Sequence, residues 1–517
     1  MPHEEKIEPA DFDNKAGDVV HLEGGLESAT TVKEAIAAEN ADINMGVWEA
    51  VRTHKSAVFW SLMVSMCVVM ESYDLCLLGN LLAMPAFRQN FGRYVDEASG
   101  YQLAPSWQTA VQQASTVGAF VGIIICGQIV EPLGYRRTIL IGLVMMIGAV
   151  FITFFSETLP VLLVGEFCCE VAPIALRGIL TIYVQICWCI GQFVSSGVTF
   201  GTQNRADKWA YKIPFAVQWV WPVPLLVILY FAPESPWWLV RKGRLEEAEK
   251  EVSRLASGSG RPAHETVSFI VRTNELEMRE TEGATYWDCF KGSDFRRTAI
   301  VCLIFAYQNF SGNVIGNQAT YFFEQAGLPS DKAFALGLGN VALQMVAVFF
   351  CWVLTSYFGR RALYLFGVGF NALFLLGIGI AASVPRTNAS TWVQAVFMIL
   401  VYAQYGLTIG PITYAVIAET SSVRLRAKSV GLSRNFYYLW SVITGVLTSY
   451  MLNPSAWNFA GKTAYLFCGT SFFVWVTTYF GLPEMKGRSY RELDILFHRK
   501  VSARKFATTE VDGAEED

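Results

Sequence analysis

The chain has 517 residues, of which 53% are hydrophobic and only 16% are charged, and its mean hydropathy is +0.34. A soluble protein of this length would carry more charge and would divide into several domains. The apolar residues come in blocks of about twenty, the length that a helix needs to cross roughly 30 Å of hydrocarbon. Composition therefore excludes a soluble protein and predicts an all-α integral membrane protein, with lipid around it and no nucleic-acid partner.

Eleven blocks are apolar enough to predict clear membrane spans: 57–79, 108–130, 138–157, 179–202, 213–231, 298–320, 333–356, 362–383, 392–416, 429–451 and 464–482. The polar residues 1–56 are predicted to be a disordered cytoplasmic tail. Residues 232–297 are charged and helix-prone, which predicts a cytoplasmic linker between an N-terminal half at 57–231 and a C-terminal half at 298–482. Residues 483–517 are predicted to be a second cytoplasmic tail, also disordered.

Short basic connections predict the orientation, since such connections face the cytoplasm. Arg136 and Arg137 follow the second predicted span, and Arg360 and Arg361 follow the seventh. The connection at 203–212 also carries basic residues and is an exception if it lies outside. We therefore expect a multi-pass protein with both termini in the cytoplasm.

The two halves share a set of sequence landmarks, which indicates an internal repeat. Each half has a basic motif directly after a span, a glutamate seven residues before an arginine, and a closing Pro-Glu. In the first half they are Leu133-Gly134-Tyr135-Arg136-Arg137, Glu170 with Arg177, and Pro233-Glu234; in the second they are Phe358-Gly359-Arg360-Arg361, Glu419 with Arg426, and Pro483-Glu484.

The spacing between these landmarks differs in one place. From the glycine of the basic motif to the following glutamate there are 36 residues in the first half (134–170) and 60 in the second (359–419), a difference of 24. Only residues 160–176 are available to return across the membrane, and about 17 residues cover about 25 Å at most. We predict that the fourth helix of the first half is missing or truncated.

Two carboxylates lie deep in the first predicted span. Glu71 and Asp74 are three residues apart and so share a helical face, although a carboxylate near the bilayer centre is costly unless it is paired, solvated or protonated. We interpret them as a proton-accepting or substrate-binding pair; the alternative is a structural pair bridged to a basic residue. Arg434, inside the tenth predicted span, is either their counter-ion or a side chain that snorkels to the interface.

Amide side chains cluster in matching spans: Gln185 and Gln192 in 179–202, Gln308, Asn309, Asn313 and Asn317 in 298–320, and Asn340 and Gln344 in 333–356. Sugar hydroxyls require groups that both donate and accept hydrogen bonds, which neutral amides supply. We therefore interpret the clusters as substrate contacts. Hydrogen bonding between helices is the alternative, and we favour it for Gln344.

The sequence shows no ATP-binding motif, because Ala456 stands where a phosphate-binding loop ending at Gly461-Lys462-Thr463 needs glycine. The five histidines lie outside the apolar blocks, and no Cys/His cluster is present in the sequence. We expect no enzyme activity, no cofactor and no metal, so any accumulation of substrate would be driven by an ion gradient.

Several motifs resemble those of major facilitator superfamily sugar porters. Gly127-x3-Glu131-x2-Gly134-Tyr135-Arg136-Arg137 is similar to the family's loop motif between helices two and three. Pro233 to Leu239 is similar to Pro-Glu-Ser-Pro-Arg-Trp-Leu, with Trp237 in place of the arginine, and Pro483 to Arg488 is similar to the sequence after the last helix. The resemblance covers about residues 45–500 and implies two six-helix halves that work by alternating access.

Within that family, Glu71-Ser72-Tyr73-Asp74, Tyr321 to Gly327 and Arg434-Asn435 resemble fungal α-glucoside (maltose-type) proton symporters. The resemblance implies a monomer in the plasma membrane that takes up an α-glucoside such as maltose together with protons. It implies that Glu71, Asp74 and Arg434 couple sugar transport to proton transport. It also implies that the sugar site is lined by Gln185, Gln192, Gln308, Asn309, Asn340, Tyr414 and Asn435. Conformational motifs would comprise Gly127, Glu131, Gly134, Arg136, Arg137, Glu170, Arg177, Glu234, Arg360, Arg361, Glu419 and Arg426.

The chain departs from the family pattern in two places. Ala119 stands where relatives often carry a glutamate in the second helix, and the fourth helix is incomplete. Two alternatives to proton symport therefore stay open. One is an uncoupled facilitator for hexose or another sugar, and the other is a transport-defective paralogue or an artefact of the gene model.

Overall fold

The computed structural model of the chain describes residues 55–97, 100–171, 181–255, 262–281, 285–422, 424–486, 488 and 490–509. Within these residues the protein is almost entirely helical, and one antiparallel hairpin pairs β1 (Arg93–Asp96) with β2 (Gly100–Gln102). The predicted tail at 1–56, except for its last two residues, and Arg177 of the predicted Glu-x6-Arg motif lie outside the described residues.

The first half is a helical bundle. Its helices are α1 (Lys55–Leu81), α2 (Pro85–Phe91), α3 (Pro105–Leu133), α4 (Tyr135–Phe154), α5 (Leu159–Val171), α6 (Thr181–Thr202), α7 (Trp209–Val217) and α8 (Pro222–Tyr230). Proline begins α2, α3 and α8, at a position where its missing N–H breaks no helical hydrogen bond. A 3-10 turn at Gln218–Val220 joins α7 to α8. Helix α5 has 13 residues and is much shorter than its neighbours α4 and α6.

Three helices follow the first half: α9 (Pro236–Arg241), α10 (Leu245–Leu255) and α11 (Ala263–Thr281). They enclose a small apolar core of their own, in which Trp238 and Leu239 from α9 meet Val252 from α10 and Ile270 from α11. The outer faces of α10 and α11 are charged, as expected for helices that lie outside the membrane.

The second half repeats the bundle. Its helices are α12 (Gly292–Phe310), α13 (Asn313–Asn317), α14 (Ala319–Ala326), α15 (Ser330–Tyr357), α16 (Arg360–Ser383), α17 (Asn388–Leu407), α18 (Ile409–Thr420), α19 (Arg426–Leu452) and α20 (Thr463–Gly481). The span predicted at 298–320 is interrupted where Gly312 adopts φ 81°, a left-handed conformation that favours glycine. The interruption exposes helix ends inside the bundle next to the amides of α12 and α13.

The C-terminal residues are ordered up to Thr509, so the prediction of a disordered tail is wrong for residues 490–509. Helix α21 (Tyr490–His498) places Leu496 and Phe497 in the core of the second half, together with Phe506. The guanidinium of Arg297 forms an ion pair with Asp494 and lies 4.4 Å from the ring centre of Phe497. Two aromatic anchors therefore fix a segment whose polar composition indicated disorder.

Seven of the described helical segments are long and apolar enough to cross a membrane by length and composition: Lys55–Leu81, Pro105–Leu133, Tyr135–Phe154, Trp209–Tyr230, Ser330–Tyr357, Arg360–Ser383 and Asn388–Thr420. The four other predicted spans overlap α6, α12 with α13, α19 and α20. Helices α6, α12 and α19 are less apolar because they carry the polar side chains that face the centre of the molecule.

The two halves meet along two seams, one between α3 and α19 and the other between α6 and α15. We call the end of the bundle that carries Arg136 and Arg361 the basic end, and the end that carries Arg88 and Glu324 the far end. The main apolar core lies toward the far end and contains buried side chains from both halves, including Leu81 and Phe322.

Candidate substrate cavity between the halves

A cavity of about 170 Å³ lies between the seams, at the level where α12 is interrupted. Helices of both halves contribute to its wall. The polar and aromatic side chains that line it are Glu71, Gln112, Gln113, Ser115, Thr116, Glu170, Gln185, Trp188, Gln192, Gln308, Asn309, Asn313, Asn317, Gln318, Gln344, Tyr402, Tyr405, Tyr414, Arg434, Tyr437, Tyr438 and Ser441.

Seven residues interpreted from the sequence as sugar contacts line this cavity together: Gln185, Gln192, Gln308, Asn309, Asn313, Asn317 and Tyr414. Their amides are only partly satisfied. The Gln308 Oε1 accepts a hydrogen bond from the Tyr405 hydroxyl at 3.3 Å, while its Nε2 and the Gln192 Oε1 are buried with no hydrogen-bond partner among the described residues. Buried polar atoms are normally paired, so their placement here favours a ligand that offers hydroxyl groups.

The structure does not bring every predicted sugar contact to the cavity. Asn340 is fully buried in α15 with both side-chain polar atoms unpaired among the described residues, and neither it nor Asn435 lines the wall. Conversely, Gln344, which we interpreted as a packing residue, lines the cavity and fits beside Gly406, where a Cβ would lie 2.8 Å from its side chain.

Other lining residues were not singled out from the sequence. Gln112 and Gln113 on α3 and Trp188 on α6 face the cavity, as do Tyr402 and Tyr405 on α17. A helical wheel of α3 would have shown the two glutamines next to small residues, but the mostly apolar residues that follow them up to Leu133 dominate the pattern. Amide and aromatic side chains side by side are the usual lining of a sugar site.

Of the two predicted coupling carboxylates, Glu71 lines the cavity and Asp74 lies behind it. Asp74 is 1% exposed, and its Oδ1 accepts a hydrogen bond from Gln218 Nε2 in the turn between α7 and α8. Gln218 was not predicted, because a single glutamine between two apolar helices gives no pattern. The pair is therefore split between a cavity-facing and a protein-bound carboxylate.

Arg434 lines the same cavity rather than reaching the end of its helix. Its guanidinium lies 5.4, 5.3 and 5.1 Å from the ring centres of Phe305, Tyr437 and Tyr438. Cation–π contacts of this kind hold a guanidinium away from water. Glu71 lines the same cavity, so the position suits a counter-ion better than a snorkelling side chain.

Helix α5 brings two further carboxylates into the interior. Glu170 lines the cavity together with Ala119. At the adjacent Gly118, an added Cβ would lie 3.1 Å from the Glu170 Cβ. Glu166, one turn earlier, is fully buried, and both of its carboxylate oxygens lack a hydrogen-bond partner among the described residues. The structure thus places Glu170 away from the basic end, where its repeat partner Glu419 lies.

At the basic end the two halves repeat one hydrogen-bond pattern. Glu234 accepts from the backbone N–H of Arg136 at 3.1 Å, and a Cβ at Gly134 (φ 87°) would lie 2.7 Å from its carboxylate. In the second half Glu484 accepts from the N–H groups of Arg360 and Arg361 at 2.9 and 3.2 Å. The carboxylate after the last helix of each half therefore holds its basic motif.

The Arg360 guanidinium also binds Glu419 at 2.9 Å. In the first half Tyr135 occupies the position equivalent to Arg360, because Arg136 and Arg361 donate to the backbone oxygens of Tyr230 and Tyr479 respectively. Three other predicted motif residues lie at this end: Glu131, Arg137 and Arg426. The Glu131 carbonyl accepts a hydrogen bond from the Trp238 indole at 3.0 Å, Arg137 is exposed, and Arg426 begins α19. Gly127 has nothing within 4 Å of its Cβ position.

The far end is closed by contacts between the halves. Arg88 on α2 forms an ion pair with Glu324 on α14 at 2.5 Å, with side chains that are 13% and 9% exposed. Thr320 donates to Asn80 at 2.8 Å, and Asn453 donates to the Leu103 carbonyl at 3.0 Å. Burial raises the pKa of Glu324 to about 6, although the charge of Arg88 opposes the shift.

Residues 60–497 match the family model described as "Sugar (and other) transporter". The chain belongs to this family. It is therefore a sugar transporter of the major facilitator superfamily, a family of membrane permeases and not of enzymes.

Two curated relatives from Saccharomyces cerevisiae show which branch the transporter resembles. Maltose permease MAL31 is 34% identical over 504 residues, which covers 93% of this chain and 82% of the relative. A general alpha-glucoside permease is 34% identical over 513 residues, which covers 95% of this chain and 83% of the relative.

Solved structures agree on the fold of the transporter. The proton:xylose symporter XylE bound to 6-bromo-6-deoxy-D-glucose matches with a TM-score of 0.68 at 18% identity, covering 86% of this chain and all of that one. The inward open conformation of XylE from E. coli matches with a TM-score of 0.67 at 16% identity, covering 85% and 99% of the two chains. The predicted helical sugar-porter fold is thereby confirmed.

Proposed function

We propose that this transporter takes up an α-glucoside such as maltose together with protons. The observation that carries the proposal is that one cavity between the halves is lined by Glu71 and by a set of amide atoms that have no hydrogen-bond partner among the described residues. A carboxylate and hydroxyl-binding amides in one enclosed space allow the binding of a proton and of a sugar to influence each other. The names of the yeast relatives support an α-glucoside as substrate.

In the proposed orientation the basic end faces the cytoplasm and the far end faces outside, with both termini in the cytoplasm and the plasma membrane as location. Clusters of arginine at short connections support this orientation. The structure then has its outer end closed, and transport by a monomer would require the contacts at the far end to open while the basic end closes. The proposal needs no cofactor or metal.

The coupling residues have different roles in this proposal. Glu71 accepts the transported proton, because its carboxylate faces the cavity. Asp74 holds the α7–α8 turn through Gln218 and senses the charge of its neighbour. Arg434 stabilises ionised Glu71 before a proton binds and releases it afterwards. The sugar is held by Gln185, Gln192, Gln308, Asn309 and Tyr414, whereas Asn340 and Asn435 act indirectly.

The test is sugar-driven proton uptake in unbuffered cells that express a full-length form. Addition of maltose should make the medium more alkaline, and Glu71→Gln or Asp74→Asn should abolish the signal. Glu97→Gln, a change of an exposed carboxylate beside β1, is the matched control. Alkalinisation that survives both Glu71→Gln and Asp74→Asn would refute the coupling roles.

An uncoupled sugar facilitator is the second candidate, and Ala119 favours it. This alanine lines the cavity, so the wall there lacks the carboxylate that the family resemblance implies. Glu170 lies beside the adjacent Gly118 and supplies a carboxylate to the same cavity. Sugar uptake that does not depend on the external pH would favour the facilitator.

We further propose that the fourth membrane helix is truncated in this chain. The 13 described residues of α5 rise about 20 Å, less than the roughly 30 Å of hydrocarbon, and residues 172–180 after them lie outside the described residues. Its last residue, Val171, lies against Gly122, where a Cβ would be 2.9 Å from the Val171 carbonyl oxygen. Gly122 is about eleven residues, or 16 Å, before the end of α3 at the basic end.

The second half supports this comparison. There α18 packs between α12 and α16 and continues to Glu419 at the basic end. The equivalent neighbours in the first half are α1 and α4, and between them lies a cavity of about 510 Å³ lined by Trp60, Val64, Tyr135 and Ile139, among others. A fourth helix of full length would pack here.

The alignment with Maltose permease MAL31 has about as many positions without a residue of this chain as one shortened helix would leave. It runs over 504 positions but uses 93% of the 517 residues, about 481, so about 23 positions hold no residue of this chain. Loss of one helix leaves the polar faces of its neighbours against lipid. A transport-defective product, or an artefact of the gene model, is therefore a further candidate for the chain as it stands.

A further inference from the structure

Two adjacent glutamines on α3, Gln112 and Gln113, face the cavity from the α3–α19 seam. Gln112 joins the two halves, since its Oε1 accepts a hydrogen bond from the Ser449 hydroxyl at 2.7 Å. Gln113 has a different environment. Its Oε1 is buried and has no hydrogen-bond partner among the described residues.

Gly445 on α19 makes room for the Gln113 amide. A Cβ at position 445 would lie 2.0 Å from Gln113 Nε2 and 3.0 Å from its Cδ. Any side chain at 445 would therefore force this amide out of its position. The α19 backbone thus leaves room for the Gln113 amide, while the Gln113 Oε1 has no hydrogen-bond partner among the described residues. Because buried polar atoms are normally paired, this oxygen is positioned to accept a hydrogen bond from a ligand hydroxyl.

Two of the other cavity amide atoms that have no hydrogen-bond partner among the described residues lie on different helices. The Gln192 Oε1 is on α6, beside the α6–α15 seam, and the Gln308 Nε2 is on α12. A ligand that pairs with these atoms and also with Gln113 must extend across the cavity from one seam toward the other. A single pyranose ring has its hydroxyls on one compact unit, whereas a disaccharide carries two such units in a row.

We propose that Gln113, positioned by Gly445, forms a second hydroxyl-binding subsite that selects disaccharides over monosaccharide-sized glucosides. The inference rests on the proposed function and refines it. The first ring binds the amides of α6 and α12, and a hydroxyl of the second ring donates to the Gln113 Oε1. Gln113 is then a specificity-determining residue, and Gly445 is a positioning residue.

Equilibrium binding to the purified chain in detergent micelles tests the proposal, with maltose and methyl α-D-glucoside as the two probes. Gln113→Ala should raise the Kd for maltose roughly fivefold or more, the effect of one lost neutral hydrogen bond, and change the Kd for methyl α-D-glucoside less than twofold. Gly445→Ala should give the same selective loss while Gln113 is still present. Gln128→Ala, an exposed glutamine further along α3, is the matched control.

The outcomes separate the two proposals. Equal losses for both sugars in Gln113→Ala, or no loss for either, would overturn the second subsite and leave the sugar site in place. If Gly445→Ala does not fold, Gln113→Ala alone decides. If the unsubstituted chain binds neither sugar, the proposed function itself is overturned, and the subsite with it.

Discussion

Gly191 on α6 determines how closely this helix approaches α1. A Cβ at this position would lie 1.9 Å from the Ser72 Oγ, 2.2 Å from the Val69 carbonyl oxygen and 2.9 Å from the Tyr73 backbone nitrogen. Two of these three atoms belong to the backbone and cannot rotate away. Small residues at helix contacts are how membrane bundles bring backbones together, and this contact sets the position of both Glu71 and Gln192.

Gly191→Ala should therefore destabilise the protein by about 1–3 kcal/mol, the usual cost of overpacking, and should weaken sugar binding because α1 and α6 separate. Thermal unfolding in detergent measures the first effect. Gly201→Ala in the same helix is the matched control, because nothing lies within 4 Å of that Cβ position. Equal melting temperatures for the two variants would contradict the proposed contact.

Residue types and spacing were enough to find part of the site. Gln185, Gln192, Gln308 and Asn309 were found because amides are conspicuous in apolar spans, and the structure places all four at one cavity. Gln218, the hydrogen-bond partner of Asp74, was not found from the sequence because it lies in a turn that is distant from Asp74 along the chain. Contacts between distant helices depend on the fold, which spacing along the chain does not contain.

Helices α2 and α14 together form the closure of the far end, and neither was predicted. The span at 298–320 was expected to be continuous, but the Gly312 break turns α14 toward Arg88, which allows the Arg88–Glu324 ion pair. Opening the far end would bring this carboxyl into water.

We expect this opening to depend on the external pH. The pKa of Glu324 is about 6 in the closed state because burial outweighs the charge of Arg88, whereas in water it would return to 4.5. The closed state then holds more protons, so its extra stability is present below about pH 4.5 and is lost as the pH rises through 6. The full effect is about 2 kcal/mol.

Asn317 lines the cavity beyond the ion pair. In the Asn317→Cys variant, the rate at which an impermeant thiol reagent labels this position measures the opening. Labelling should be faster at pH 7.5 than at pH 5 after correction for the reagent's own pH dependence. Glu324→Gln should remove the difference, and Glu97→Gln should preserve it. Faster labelling at acid pH would show that protonation opens the end instead of stabilising its closure.

At the scale of the whole molecule, the internal repeat determines most of what was predictable. In each half the closing glutamate accepts a hydrogen bond from the backbone of the basic motif, as expected for an internal repeat. The repeat also predicted where the halves differ, since only the segment between Gly134 and Glu170 is short. What the repeat did not predict is the position of Glu170, which lines the cavity beside Gly118 on α3 and does not lie at the basic end with Glu419.

The transcript provides the last test. If the gene model is at fault, the messenger RNA should contain roughly 18 to 24 additional codons between those for Gly165 and Glu170, enough to complete a membrane span. The extended chain should then transport maltose, while the 517-residue chain should reach the cell surface in smaller amounts and transport at background level. Surface labelling of both forms separates loss of transport from loss of expression. An uninterrupted reading frame, together with normal maltose uptake by the 517-residue chain, would show that this fold works with a fourth helix that stops halfway.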